Sequence, residues 1–359
     1  MKNIEIEIYL KNIKFMLYSL DEFVLTPSVV SHIEHRKDVE IKRGDMYPLF
    51  TAPMSCIVDE NNVDKFVLNG INTIVPRSVP ATTRLEFLKQ GAWVAFGFKE
   101  AELIYENMEI ETGAARICID QANGHMTSLL KLCERLKDKF GDKIEIMTGN
   151  IANPATYLEY AYAGVDYVRV GIGGGNVCTT SVQTGIHYPM GSLIVGCNEY
   201  KQVLIDEIEN GTFRAKSIPK IVADGGFKRI DQIVKALALG ADYVMLGEIL
   251  AKSEEACGQV LPSTGQGDRY REYFGMSTER AQHIVNDASF FKVENFVPKH
   301  TEGQVKSVPI EYPIYEWLED FAHALRSSMS YCNANELYQY IGKVEYENMT
   351  PVTFNSYMK

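Results

Sequence analysis

This sequence offers nothing on which a disulfide framework could rest. Its seven cysteines lie far apart, at 56, 118, 133, 178, 197, 257 and 332; the count is odd and no CxxC occurs. That excludes a cysteine-paired zinc site as well, and it predicts reduced thiols in a cytoplasmic protein. No run of 18 apolar residues is present, so no transmembrane helix and no membrane partner are expected. The N-terminus lacks an apolar core with a small-residue cleavage site, and no signal peptide is expected. Positive charge is also short: 36 Lys and Arg against 47 Asp and Glu leave a net charge of −11. A nucleic acid would be repelled by that balance, whereas a small phosphorylated ligand needs only a local site. No low-complexity tract or internal repeat stands out.

What is present is globular composition, 46% hydrophobic and 23% charged over 359 residues. That length holds either two domains or one large α/β barrel. From residue 49 a rhythm of short apolar runs sets in: PLFTAP (48–53), INTIVP (71–76), AWVAFG (92–97), ARICID (115–120), IEIMTGN (144–150), DYVRVG (166–171), KIVADGG (220–226) and DYVMLG (242–247). Amphipathic segments fill most gaps. TSLLKLCERLKDKF (127–140) repeats Leu129, Leu132, Cys133 and Leu136 at helical spacing, and IDQIVKALALGA (230–241) does the same with Gly240 as its cap. Continuous apolar strands alternating with helices imply parallel strands covered on both faces. Eight of them predict a (β/α)8 TIM barrel over a doubly wound open sheet, in one domain. The expected division is a lead-in over 1–47, a barrel over 48–345 with an insertion at 255–315, and a tail over 346–359.

Polar or glycine residues close the runs: Asp120, Asn150, Gly171, Asp224 and Gly247. In a barrel these ends form the active rim, and the loops after strands seven and eight often bind phosphate through backbone amides. ADGG (223–226) and LGE (246–248) fall in those two loops. After strand six comes GIGGGNVCTT (171–180), four glycines in five positions leading to Cys178 and two threonines. Glycines in such a run let the main chain approach a neighbour closely. A lone cysteine is usually a small buried hydrophobe. On a rim loop, beside hydroxyls and backbone amides, it becomes a candidate nucleophile.

These motifs together resemble the IMP dehydrogenase/GMP reductase family, over about residues 20–340. VGIGGGNVCTT is similar to its cysteine loop, ADGG to its ribose-binding turn, ADYVMLG to its phosphate strand, YREYFGMST (270–278) to its base-recognition loop and LRSSMSY (325–331) to its closing helix. The resemblance implies a cysteine that bonds to C2 of a purine nucleoside monophosphate while hydride passes between C2 and a nicotinamide. It implies Cys178 as nucleophile, with Thr180 and Glu302 moving protons. It places Asp224 on the ribose, Asn176, Gly226 and Gly247 on the phosphate, Met276 and Ser277 on the base, and Asp120 and Asn150 toward the cofactor. The carbonyls of Gly173, Gly175 and Cys178 would hold a monovalent cation, K+, and the assembly would be a homotetramer.

Several positions resemble the GMP reductase branch: DQANG (120–124), TGIHYP (184–189), the hydroxyl residue after Met276, and RKDVEI (36–41). Residues 279–301 contain Arg280 but no Arg-Tyr pair of the kind dehydrogenases use to activate water. Only about 16 residues separate strands two and three, too few for an inserted regulatory domain. The expectation is NADPH-dependent conversion of GMP to IMP and ammonia. The alternatives are an IMP dehydrogenase making XMP with NAD, a reductase of another purine nucleotide, and a silent nucleotide-binding barrel. The chain departs from the family pattern at Ser55, at Pro76–Arg77, at Asn176 and at Glu248.

Overall fold

The computed structural model describes residues 16–109, 115–262 and 268–357. Eight short runs form one parallel sheet: β1 (Leu49–Thr51), β2 (Ile74–Val75), β3 (Trp93–Phe96), β4 (Ala115–Asp120), β5 (Ile144–Ile151), β6 (Tyr167–Val170), β7 (Lys220–Asp224) and β8 (Tyr243–Leu246). From β2 to β8 each strand pairs with the next, β8 pairs with β1, and a parallel bridge between Phe50 and Asn72 joins β1 to the run-in of β2. The ring is a (β/α)8 barrel, as the strand count predicts. Seven strands fall within the apolar runs and β5 passes the end of its run by one residue, Ile151; both faces of the strands are covered, so alternation is lost and hydrophobicity runs on. The helix Thr127–Phe140 buries Leu129, Leu132, Cys133 and Leu136 against the barrel. Burying each of its leucines contributes roughly 1.5–3 kcal/mol. The second helix ends at Leu239, where Gly240 takes φ +125°.

One end of the barrel is closed by aromatic rings. Phe50, Trp93, Tyr167 and Tyr243, near the starts of their strands, meet mostly edge to face, with centroids 5.0–6.1 Å apart. That geometry suits ring quadrupoles, and the four rings fill the barrel floor. Contrary to the expectation of no internal repeat, two strands that reach the floor share a short one, G-x-D-Y-V-x-x-G at 164–171 and 240–247, too brief to stand out in the sequence. In both copies the aspartate accepts an amide from the neighbouring strand and a lysine ammonium: Asp166 from Ile146 and Lys137, Asp242 from Ile221 and Lys201. In both copies the sixth residue, Arg169 or Met245, faces the cavity at the opposite end.

The insertion is a three-stranded antiparallel sheet, Val260–Leu261, Tyr270–Phe274 and Val305–Pro309, with the helix Glu279–Ala288 between its last two strands. Lead-in and tail meet: Phe23–Leu25 pairs antiparallel with Tyr346–Asn348. Phe23 packs on Gly191, where an added Cβ would lie 2.4 Å from its ring. Residues 1–15 of the expected lead-in lie outside the described residues. Between β2 and β3 stands a single helix, Ala81–Lys89. None of the described helices is long and apolar enough to cross a membrane.

Candidate functional site

At the rim opposite the aromatic floor, a cavity of about 420 Å³ is lined by the ends of β4 to β8 and by the insertion. The glycine-rich loop after β6 touches the glycine turn after β7. A Cβ on Gly226, which has φ +87°, would lie 2.7 Å from the Gly174 carbonyl, and one on Gly225 would lie 3.1 Å from the Gly175 amide. Two backbones therefore pack directly on each other, and side chains are excluded from the contact.

Cys178, half-buried, sits at the end of that loop. Its Sγ donates to Thr180 Oγ1 at 3.2 Å, and Thr180 Oγ1 donates to Glu302 Oε2 at 2.5 Å. Glu302 comes from the insertion, and the backbone brings it in. The Thr179 amide donates to the Glu302 carbonyl and the Gln304 amide to the Val177 carbonyl, each at 2.8 Å. Cys178 and Gly303 form a β-bridge between these bonds. A thiol, a hydroxyl and a carboxylate thus stand in one line along which a proton can pass.

Sequence reasoning missed Arg169. Its Nη1 donates to Asp120 Oδ1 at 2.6 Å and its Nη2 to Asp224 Oδ2 at 2.8 Å. Burial alone would push this guanidinium down, but Asp224, then Cys118 and Asp120, hold it well above the ordinary arginine value. Asn150 Nδ2 donates to the same Asp224 oxygen at 2.7 Å and to the Gly171 carbonyl at 2.8 Å. Asn150 lines the cavity as expected, yet its amide is engaged in fixing Asp224. One Asp224 oxygen is therefore held by two neighbours. The repeat described above held the signal for Arg169, because it stands where the other copy has Met245.

Further round the rim, Asn176, Gly226, Gly247 and Glu248 line the cavity beside Tyr273. A Cβ on Gly247 would lie 2.7 Å from the Tyr273 hydroxyl. Burial, then the charges of Cys56, Glu248 and Asp224, push that phenol well up, so it remains a donor. Met276 and Ser277 face the same space, with Met276 Sδ 3.7 Å from Ser55 Oγ. Asp120, Gln121 and Ala122 line another stretch of the wall, together with Arg77. The Arg77 Nε is buried without a hydrogen-bond partner among the described residues, 4.0 Å from Glu100.

Of the expected site residues, all but Gly173 line this one cavity. The Gly173 carbonyl accepts from Ser181 Oγ at 3.3 Å and the Gly175 carbonyl from the Cys178 amide at 3.0 Å. Among the described residues, no cluster of His, Cys, Asp and Glu could hold a metal ion. All seven cysteines are unpaired. Burial pushes the thiols of Cys56 up to about 11 and those of Cys118 and Cys133 up to about 12. Cys197 lies buried on the helix Met190–Glu209 and Cys257 beside the Ser55 carbonyl, and burial raises both. Raised thiols are poor nucleophiles, and none of these five lines the cavity.

Comparison with known proteins agrees with this geometry. A family model described as IMP dehydrogenase / GMP reductase domain matches residues 87–356. A GMP reductase of Aliivibrio fischeri is 29% identical over 328 residues, covering 86% of this chain and 88% of that protein. A GMP reductase of Vibrio cholerae is 30% identical over 301 residues, covering 81% and 80%. An inosine-5'-monophosphate dehydrogenase of Chlorobaculum parvum is 31% identical over 258 residues; the match covers 70% of this chain and 48% of that protein, so the chain spans about half the length of that relative. A barrel whose cysteine loop, glycine turns and insertion converge on one cavity, matched by this model over most of its length, belongs to the IMP dehydrogenase/GMP reductase family of oxidoreductases.

Proposed function

We propose that the protein is a GMP reductase, converting GMP to IMP and ammonia at the expense of NADPH. The line Cys178–Thr180–Glu302 supports the covalent chemistry of this reading, and the reductase branch is favoured by DQANG (120–124) and by residues 279–301, which contain no Arg-Tyr pair. In the proposed reaction Cys178 Sγ bonds to C2 of the purine. The thiol proton passes through Thr180 to Glu302 and on to the 2-amino group, which leaves as ammonia. A positioned acid–base group of this kind typically contributes about 10²–10⁴-fold. Once C2 has gained hydride, the C2–S bond breaks and its electron pair returns to Cys178, which takes up a proton. The purine carbon is reduced, the nicotinamide is oxidised, and no water attacks.

The remaining residues bind and orient. Asp224, fixed by Arg169 and Asn150, keeps an oxygen for the ribose hydroxyls. Asn176, Gly226 and Gly247 would take the phosphate, and Met276 and Ser277 would flank the base. The wall of Asp120, Gln121 and Ala122 would take a nicotinamide dinucleotide, with the partly exposed Arg77 guanidinium beside it offering positive charge. When bound there, the cofactor supplies hydride. A monovalent cation enters no step, although the Gly173, Gly175 and Cys178 carbonyls remain its proposed ligands. A cytoplasmic homotetramer belongs to the same proposal.

The test is a substrate panel followed by absorbance of the reduced nicotinamide. NADPH should be consumed only with GMP present, and IMP should accumulate. Production of XMP from IMP and NAD, with GMP inert, would move the protein to the dehydrogenase branch.

A further inference from the structure

Two charged residues near Asn176 and Gly247 have no part in the reaction above: Glu248, which lines the cavity, and Lys306, which is exposed just outside its lining. Glu248 lines the cavity directly after Gly247. Among the described residues the lining holds Asp120, Asp224, Glu248 and Glu302 against Arg77 and Arg169. Arg169 is already shared by Asp120 and Asp224. Arg77 follows β2, on the far side of β1 from Gly247. A phosphate dianion entering beside Glu248 would therefore meet net negative charge within a few ångströms, where screening by salt is incomplete.

Lys306 supplies the missing charge. It stands directly opposite Tyr273 in the antiparallel pairing of the insertion. Opposed residues project to the same face of a sheet. From that rung the Tyr273 hydroxyl reaches Gly247, and the Lys306 ammonium reaches the Asn176 carbonyl at 2.6 Å. Among the described residues, that ammonium pairs with a carbonyl and no carboxylate, which leaves its charge unspent and two of its N–H donors free. The Tyr273 hydroxyl thus lies beside Gly247, while the exposed Lys306 ammonium, just outside the cavity lining, lies against the carbonyl of Asn176, which borders the same space.

We propose that Lys306 is a specificity-determining residue that admits a 5′-phosphate to this cradle in spite of Glu248. This rests on the reading of the ligand as a purine nucleoside monophosphate. Glu248 in turn weakens binding of the doubly charged phosphate, so the two residues act in opposite senses on the same group.

Equilibrium binding tests this without requiring turnover. GMP and guanosine would be titrated into the wild-type protein and the Lys306→Met, Lys306→Arg and Glu248→Gln variants, at low and high salt. Lys306→Met should weaken GMP about tenfold at low salt, less at high salt, and leave guanosine unchanged. Lys306→Arg should keep most of the affinity, and Glu248→Gln should tighten GMP. If Lys306→Met leaves GMP unchanged, or weakens guanosine equally, the inference is overturned. A wild-type protein that binds GMP and guanosine alike overturns it too. A protein that binds GMP through Lys306 but never reduces it upholds this inference and removes the reductase reading instead.

Discussion

Thr180 and Glu302 are 122 residues apart in the chain and 2.5 Å apart in space. Replacing either end of that bond should slow the chemistry and spare binding. Thr180→Val and Glu302→Gln are each expected to lower kcat by about 10²–10⁴-fold with GMP affinity little changed. Because both act on one proton, the double variant should be scarcely worse than the more damaged single variant. Multiplying losses in steady-state kinetics would separate their roles.

Cys178→Ala should abolish turnover and still bind GMP. In the intact protein an alkylating reagent should modify Cys178 faster than any of the other six thiols, because burial raises all six: Cys56, Cys118, Cys133, Cys197, Cys257 and Cys332. GMP should protect it. Peptide mapping after brief labelling reads both effects, and turnover by the alanine variant would end the covalent mechanism.

Arg169→Met should be costly, because it leaves Asp120 and Asp224 facing one another without their shared cation. Removing one partner of a buried ion pair typically destabilises by about 3–5 kcal/mol. Arg169→Lys should rescue stability only in part, since a point charge cannot bridge two carboxylates as a planar fork does. Urea midpoints give the stability order, and guanosine binding should weaken in step if Asp224 loses its orientation.

Glu100 ties stability to pH. Burial alone would push its carboxyl up, but the Arg84 hydrogen bond and charge, the Gly97 amide and the Arg77 charge hold it below the ordinary 4.5. A depressed carboxyl stabilises the fold fully above the unfolded value, and that contribution is lost as pH falls through the folded one. Glu100→Gln, which leaves buried Arg84 without a counterion, should cost about 3 kcal/mol at neutral pH. The gap between variant and wild type should close as pH drops below about 4.5. A gap that stays constant with pH in chemical denaturation would contradict this.

The barrel was legible because strands buried on both faces leave unbroken apolar runs, and all eight were readable. The Cys178–Thr180 pair was also readable, being local. Glu302 was reachable only through resemblance, since no spacing rule joins positions so distant. Arg169 was hidden because a single charge inside DYVRVG does not disturb the look of a strand. Asn150 was placed at the rim correctly, but that its amide holds Asp224 depends on packing between β5 and β7. The union of lead-in and tail left no trace, because FVL and YEN are too short to carry a pattern.

The aromatic floor has a consequence for traffic. Among the described residues the rings of Phe50, Trp93, Tyr167 and Tyr243 fill the base, so a ligand comes to Cys178 from the rim side. Under the proposed reaction nucleotide and cofactor would both come from that side, and whichever lies deeper would enter before the other and leave after it.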